Sequence, residues 1–160
     1  MRVKDIETER FQDYKLPSLF LASCFCNFKC CLESHLDIST CQNEPLAQSP
    51  IQEVSDELIY DKYISNPITK SIVIGGLEPF MQYDELLSLI SLFRSRGCLD
   101  PFVIYTGYRE DELQEQIQEL SQFPNIIIKF VRFVPHQKRP LDYVLGVELA
   151  SDNQYGKQIS

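Results

Sequence analysis

The sequence predicts an α/β fold built on a mostly parallel sheet of about five strands, in a single domain covering residues 1–160. Short apolar, β-branched runs such as Ser71-Ile72-Val73-Ile74 read as strands buried on both faces. Between them lie segments with helical spacing of apolar residues, and this alternation demands parallel strands joined by right-handed crossovers. At 160 residues and 44% hydrophobic content, the chain is long enough for one domain with its own core.

Met1 to Lys15 mixes charges with scattered apolar residues and decides little. Leu19-Phe20-Leu21-Ala22 is a buried strand that delivers its C-terminal end to a cysteine-rich loop. After Pro50, Val54, Leu58, Ile59 and Tyr63 fall near one face of a helix that must stop before Asn66-Pro67. The strand at Ser71 to Ile74 then ends in Gly75-Gly76-Leu77-Glu78-Pro79. Asp84 is expected to cap a helix whose Leu86, Leu87, Leu89, Ile90, Leu92 and Phe93 make a wide apolar face, closed by Gly97. Phe102 to Tyr105 is the third strand. Glu110-Asp111-Glu112 suit the positive N-terminus of a third helix carrying Leu113, Ile117 and Leu120 and ending by Pro124. Asn125 to Phe130 is a fourth strand, and Tyr143 to Ala150 a fifth.

A net charge of −8 argues against a nucleic-acid surface, and no apolar run reaches the length of a membrane span. The acidic, charged start has no apolar leader, so the expected location is cytoplasmic and a disulfide framework is disfavoured. Five of the six cysteines fall between Ser23 and Asn43. Such a cluster of thiols suits a metal or an iron–sulfur centre. Cys26 and Cys30 form a C-x3-C pair and Cys41 follows, with Cys24 and Cys31 as extras. From this loop alone structural zinc, with His35 as a further ligand, explains the residues equally well. Gly75-Gly76 at a strand end lets backbone approach a ligand closely, or makes a simple tight turn.

Four separated pieces, in this order, give a resemblance. They are the Cys26, Cys30, Cys41 loop; Gly75-Gly76-Leu77-Glu78-Pro79; Tyr105-Thr106-Gly107-Tyr108; and Ser151-Asp152-Asn153-Gln154. Together they resemble the anaerobic (class III) ribonucleotide reductase activating proteins of the radical S-adenosylmethionine superfamily. The chain departs from that pattern in several places. Glu33 stands where the third cysteine of C-x3-C-x2-C falls, so Cys41 takes that role across an inserted loop, whose closure costs little extra entropy. Leu77 is an insertion, Thr40 replaces an aromatic residue, Val131 replaces the glycine of a Gly-Arg-Phe stretch, and Tyr155 replaces an arginine.

The resemblance implies an open partial (β/α) barrel, too short to close. It implies an oxidoreductase with a [4Fe-4S] cluster on Cys26, Cys30 and Cys41, one iron left open, and S-adenosylmethionine held by Gly75, Gly76, Glu78 and Thr106. No side chain is assigned a catalytic role. The implied partners are the catalytic subunit of anaerobic ribonucleotide reductase, which receives a glycyl radical, and a low-potential electron donor. A radical S-adenosylmethionine or electron-transfer protein with another substrate, and a zinc-stabilised interaction module, remain the competing readings.

Overall fold

A computed structural model describes residues 1–160. Its centre is a six-stranded sheet. The strands are β1 (Asp5–Arg10), β2 (Ser18–Ala22), β3 (Ser71–Gly75), β4 (Phe102–Tyr105), β5 (Ile126–Phe130) and β6 (Tyr155–Gln158), in spatial order β6-β5-β4-β3-β2-β1. Strands β2 to β5 are parallel, whereas β1 and β6 run antiparallel on the two edges. The two edges do not pair with each other, so the sheet stays open.

The four parallel strands are those the apolar runs predict. The expected fifth strand at 143–150 is replaced by two things. Leu141–Asp142 and Val147–Glu148 form a small hairpin, and the sixth strand lies further on at Tyr155. The reason is turn chemistry: Asp142 Oδ1 accepts from the backbone N–H of Val144 and Leu145 at 2.9 and 2.8 Å, and Gly146 follows at φ 74°. An Asp-to-Gly turn of this kind breaks a strand in two. The undecided N-terminus supplies β1, whose sequence Asp-Ile-Glu-Thr-Glu-Arg suits an edge, since charged side chains discourage pairing with another chain.

Side-chain alternation divides the sheet into two faces. Leu19, Leu21, Ile72, Ile74, Phe102, Ile104, Ile126 and Ile128 face the helices. These helices are α3 (Asp56–Ser65), α4 (Tyr83–Ser95) and α5 (Gln114–Leu120), while α1 (Lys29–Glu33) and α2 (Glu44–Gln48) belong to the cysteine-rich segment. In α4, Leu86, Leu89, Ile90 and Phe93 of the expected apolar face are fully buried, while Leu87 and Leu92 at its margins are half-buried. Asp84 is not the cap: Gln82 holds that position, and Asp84 and Glu85 sit in the first turn, where the helix dipole favours them. In α3, Ser55 caps by accepting from Leu58 N–H, and Ile59 and Tyr63 face the core, but Leu58 is exposed. Val54 precedes the helix.

The other face carries Phe20, Ala22, Val73, Val103 and Ile127, covered by Tyr14, Leu145 and Leu149. This cover is partial towards the C-terminal ends of the parallel strands, and a cavity opens there. Ligands bind at that end of open α/β sheets.

Val131, just beyond β5, has φ 78°. A β-branched residue is strained in this left-handed region, at a cost of about 1–3 kcal/mol. Val131→Gly should relieve that strain, less about 0.5–1 kcal/mol for glycine's greater freedom when unfolded. The expected result is a higher urea midpoint with unchanged slope, a net gain of about 1 kcal/mol. A lower midpoint would mean that the packing of the valine side chain outweighs the strain.

Candidate iron–sulfur site

Two backbone links bind the cysteine loop to the Gly75–Glu78 turn. Ser23, fully buried directly after β2, gives both its N–H (2.8 Å) and its hydroxyl (2.9 Å) to the Gly75 carbonyl. The Glu78 N–H donates to the Phe25 carbonyl at 2.7 Å. Sequence segments some fifty residues apart therefore arrive side by side.

Cys26 leaves this anchored stretch with its sulfur accepting from the Phe28 N–H at 3.3 Å. Phe28, at φ 51°, turns the chain into α1, which carries Cys30 and the buried Cys31. A 3-10 turn at Ile38–Thr40, capped by Asp37 through the Ser39 N–H, then presents Cys41. Cys26, Cys30, Cys31 and Cys41 all line one cavity of about 470 Å³. Cys24 and Cys98 lie outside it, and Cys24 is buried.

None of the six cysteines is in a disulfide. Burial pushes the Cys26 thiol up to about 11 and the Cys31 thiol up to about 12, the latter also through its neighbour Cys30, whose sulfur is 4.0 Å away. Buried thiols that resist ionising become thiolates readily only when a metal supplies the opposite charge. No three His, Cys, Asp or Glu side chains converge as a single-ion site. Cys26, Cys30, Cys31 and Cys41 share the wall of one cavity, and a donor set of thiols suits a cluster with one thiolate per iron.

The turn itself is shaped by its glycines. Gly76 has φ 78°, and a Cβ there would meet Leu46 Cδ2 at 2.8 Å. Gly75 does not line the cavity: a Cβ on it would press on Tyr105 Cβ at 3.1 Å, so it closes the sheet. Leu77 is buried. Glu78 lines the cavity wall but is itself buried, and its carboxylate accepts from Thr106 Oγ1 (2.8 Å), Gly107 N–H (2.9 Å) and Phe80 N–H (3.2 Å). Burial raises its pKa, opposed by those hydrogen bonds. Thr106 and Glu78, both expected at a ligand, thus hold each other and fix the turn against β4.

Around this centre the remaining motifs find their places. Tyr105 donates its hydroxyl to the Asp13 carbonyl at 2.5 Å. Lys29 Nζ and the Arg132 guanidinium stand 5.2 and 5.6 Å from the centroid of the Tyr108 ring, whose hydroxyl accepts from Asn27 at 2.9 Å. Glu112 receives both Arg132 terminal nitrogens at 2.7 Å and Lys29 Nζ at 3.3 Å, while Arg132 Nε lies 3.3 Å from Glu33. The Arg132 hydrogen bonds hold the Glu112 carboxyl down at about 2. Through this network the cysteine-bearing α1 is tied to the β5 end.

The Ser151 to Gln154 motif braces the same strained segment from behind. The Ser151 hydroxyl accepts from Val134 N–H at 3.2 Å, Asn153 donates to the Arg132 carbonyl at 2.8 Å, and Gln154 donates to the Val131 carbonyl at 3.1 Å. Sequence reasoning overlooked Glu112 as a partner and Lys129 altogether. Lys129 carried a signal nonetheless, as a lone charge in the apolar run Ile126-Ile127-Ile128-Lys129-Phe130.

No helix is long and apolar enough to cross a membrane. Comparison with curated proteins and with solved structures found no match. The family model described as 4Fe-4S single cluster domain matches residues 16–150, more than four-fifths of the chain and all four cysteines at the cavity. The four cavity cysteines and this match point to the same group, and the chain belongs to the 4Fe-4S single cluster domain family.

Proposed function

We propose that this iron–sulfur protein is a glycyl-radical activating enzyme acting on anaerobic ribonucleotide reductase. The observation that carries the reading is one shared cavity: Cys26, Cys30 and Cys41 line it together with Gly76, Glu78 and Thr106. Cys26, Cys30 and Cys41 would hold a [4Fe-4S] cluster there, which would supply the electron for reductive cleavage of S-adenosylmethionine, and a glycine of the partner would be the hydrogen donor.

The chain's own residues do the rest by position. Cys26, Cys30 and Cys41 are the ligands, delivered from the loop before α1, from α1 and from the end of the 3-10 turn. Gly76 brings backbone close to the methionyl end, and Glu78 keeps that backbone in place through Thr106 and Gly107. Thr106 Oγ1 donates to Glu78 and accepts from the Tyr108 N–H at 3.0 Å, so its part is to organise the turn. The open sheet leaves a side from which a flexible protein loop can enter.

A second reading follows from Cys31. With its sulfur 4.0 Å from that of Cys30, a fourth cysteine at the same cavity would complete an all-protein ligand set and make an electron-transfer centre. Electron paramagnetic resonance separates the two. In the activating-enzyme reading, S-adenosylmethionine changes the spectrum of the reduced cluster, 5′-deoxyadenosine accumulates with a low-potential reductant, and a glycyl doublet arises on the added reductase. A spectrum indifferent to S-adenosylmethionine establishes the four-thiolate reading. Deoxyadenosine without a doublet retains the chemistry and rejects the partner.

A further inference from the structure

The chain carries a net charge of −8, yet the stretch from Val131 to Leu141 holds Arg132, His136, Lys138 and Arg139 and no Asp or Glu. Arg132 is engaged by Glu112 and Glu33. His136, Lys138 and Arg139 are exposed, and none of them forms an ion pair within the chain. Of the two acids in the hairpin that follows, Asp142 is occupied by the backbone N–H of Val144, Leu145 and Gly156, which leaves Glu148. Beside these cations stand apolar side chains that the core does not use: Phe133 is 41% exposed, Leu141 51% and Tyr143 87%. Exposed aromatics beside unpaired cations have the composition of a recognition surface.

The patch belongs to the rim of the cavity. Phe133 and Ala150 line the wall. Next to them, the Val134 N–H donates to the Ser151 hydroxyl and the Leu149 N–H to the Pro140 carbonyl at 2.9 Å, so both ends of the basic loop are fastened beside the wall. Asn153 and Gln154 hold its start, and Pro135 and Pro140 restrict its backbone. A loop held in this way loses little freedom when a partner settles on it. It follows β5, whereas the cysteine loop follows β2, three strands away in the sheet, or about 14 Å at the usual strand spacing. An occupant of the patch therefore approaches from the side opposite the root of the cysteine loop, which leaves the cavity between them.

We propose that this rim, residues 133–143, docks an acidic segment of the protein that presents the glycine, with carboxylates on Lys138 and Arg139 and an apolar side chain against Leu141 and Tyr143. The inference rests on the activating-enzyme reading for the identity of that protein, while charge complementarity selects the chemistry of the segment. The rest of so acidic a chain repels such a segment, so the one basic rim also decides where it lands.

The test measures anaerobic binding of the cluster-loaded full chain to the catalytic subunit of anaerobic ribonucleotide reductase. Wild-type affinity is expected to fall about tenfold or more between low salt and about 0.3 M salt. At low salt a Lys138→Glu/Arg139→Glu double variant should bind about tenfold or more weakly with its iron content unchanged, and Lys138→Arg/Arg139→Lys should bind as wild type does. Tyr143→Ser should weaken binding without changing its salt dependence. A second arm uses a synthetic glycine-containing peptide rich in Asp and Glu beside its Asn and Gln counterpart; the wild-type chain should prefer the acidic peptide and the double variant should not. Reductase binding that is unchanged in the Lys138→Glu/Arg139→Glu chain overturns the docking surface and leaves the activating-enzyme reading standing. A wild-type chain that ignores the reductase but prefers the acidic peptide keeps the surface and removes that partner, and one that binds neither overturns the surface whatever the glycyl doublet shows. Phosphatidylserine vesicles or single-stranded DNA bound more tightly than either probe, and released in the double variant, overturn the acidic protein as the occupant.

Discussion

Cys26→Ala, Cys30→Ala and Cys41→Ala are each expected to lose the iron–sulfur cluster, whereas Cys24→Ala and Cys98→Ala retain it. The first three line the cavity from the loop before α1, from α1 and from the end of the 3-10 turn, and the last two lie outside it. Each ligand thiolate serves a different iron, so a missing one cannot be made good by its neighbours unless a spare thiol is within reach. Cys31 is such a thiol for Cys30, 4.0 Å from it and buried beside it, so at that position a Cys30→Ala/Cys31→Ala double variant secures the expected loss. Cys31→Ala keeps its cluster if three cysteines suffice, and loses it if four are required. Iron content and visible absorbance of anaerobically prepared variants measure all of this. Full cluster retention in Cys41→Ala would sink the ligand assignment.

The largest effect on stability is expected at Glu112. Its carboxylate takes a two-pronged hydrogen bond from Arg132, whose side chain is only 5% exposed, and a further one from Lys29. Removing one partner of a buried ion pair leaves the other charge without compensation, at about 3–5 kcal/mol. Glu112 is itself 21% exposed, which admits some screening, so Glu112→Ala should cost about 2–3 kcal/mol. Denaturant unfolding of the cluster-free protein reads this directly, and a loss under about 0.5 kcal/mol would place the pair among ordinary surface bridges. Because α1 is tied through Lys29 and Glu33 to the same pair, the variant should also load iron less completely. The pH dependence has a definite sign. The Glu112 carboxyl is held at about 2 in the folded chain, against about 4.3 for an unperturbed glutamate. Its contribution is therefore fully present above pH ~5 and fades as pH falls towards 2. Glu112→Gln should flatten that part of the acid unfolding curve.

The sequence by itself determined the parallel centre of the fold, because strands buried on both faces must be apolar along their whole length. Leu19–Ala22, Ser71–Ile74, Phe102–Tyr105 and Ile126–Phe130 satisfy this, and the helix at Leu86 to Phe93 satisfies its own periodicity. The cysteine loop and the Gly75–Gly76 turn were legible for the same reason, since each follows an interior parallel strand and both strands stop at the same end of the sheet. The edge strands were not, because β1 and β6 expose much of their surface and carry no apolar signature. Only the tertiary structure decided which partners meet across the site. Arg132 finds Glu112, Glu78 finds Thr106 and Gly107, and Lys129 and Gln154 share the carbonyl of a valine held at a positive φ. Local periodicity reports which face of an element is buried, but the partner of a buried polar group is set by strand order and register, which bring distant residues to the same end of the sheet.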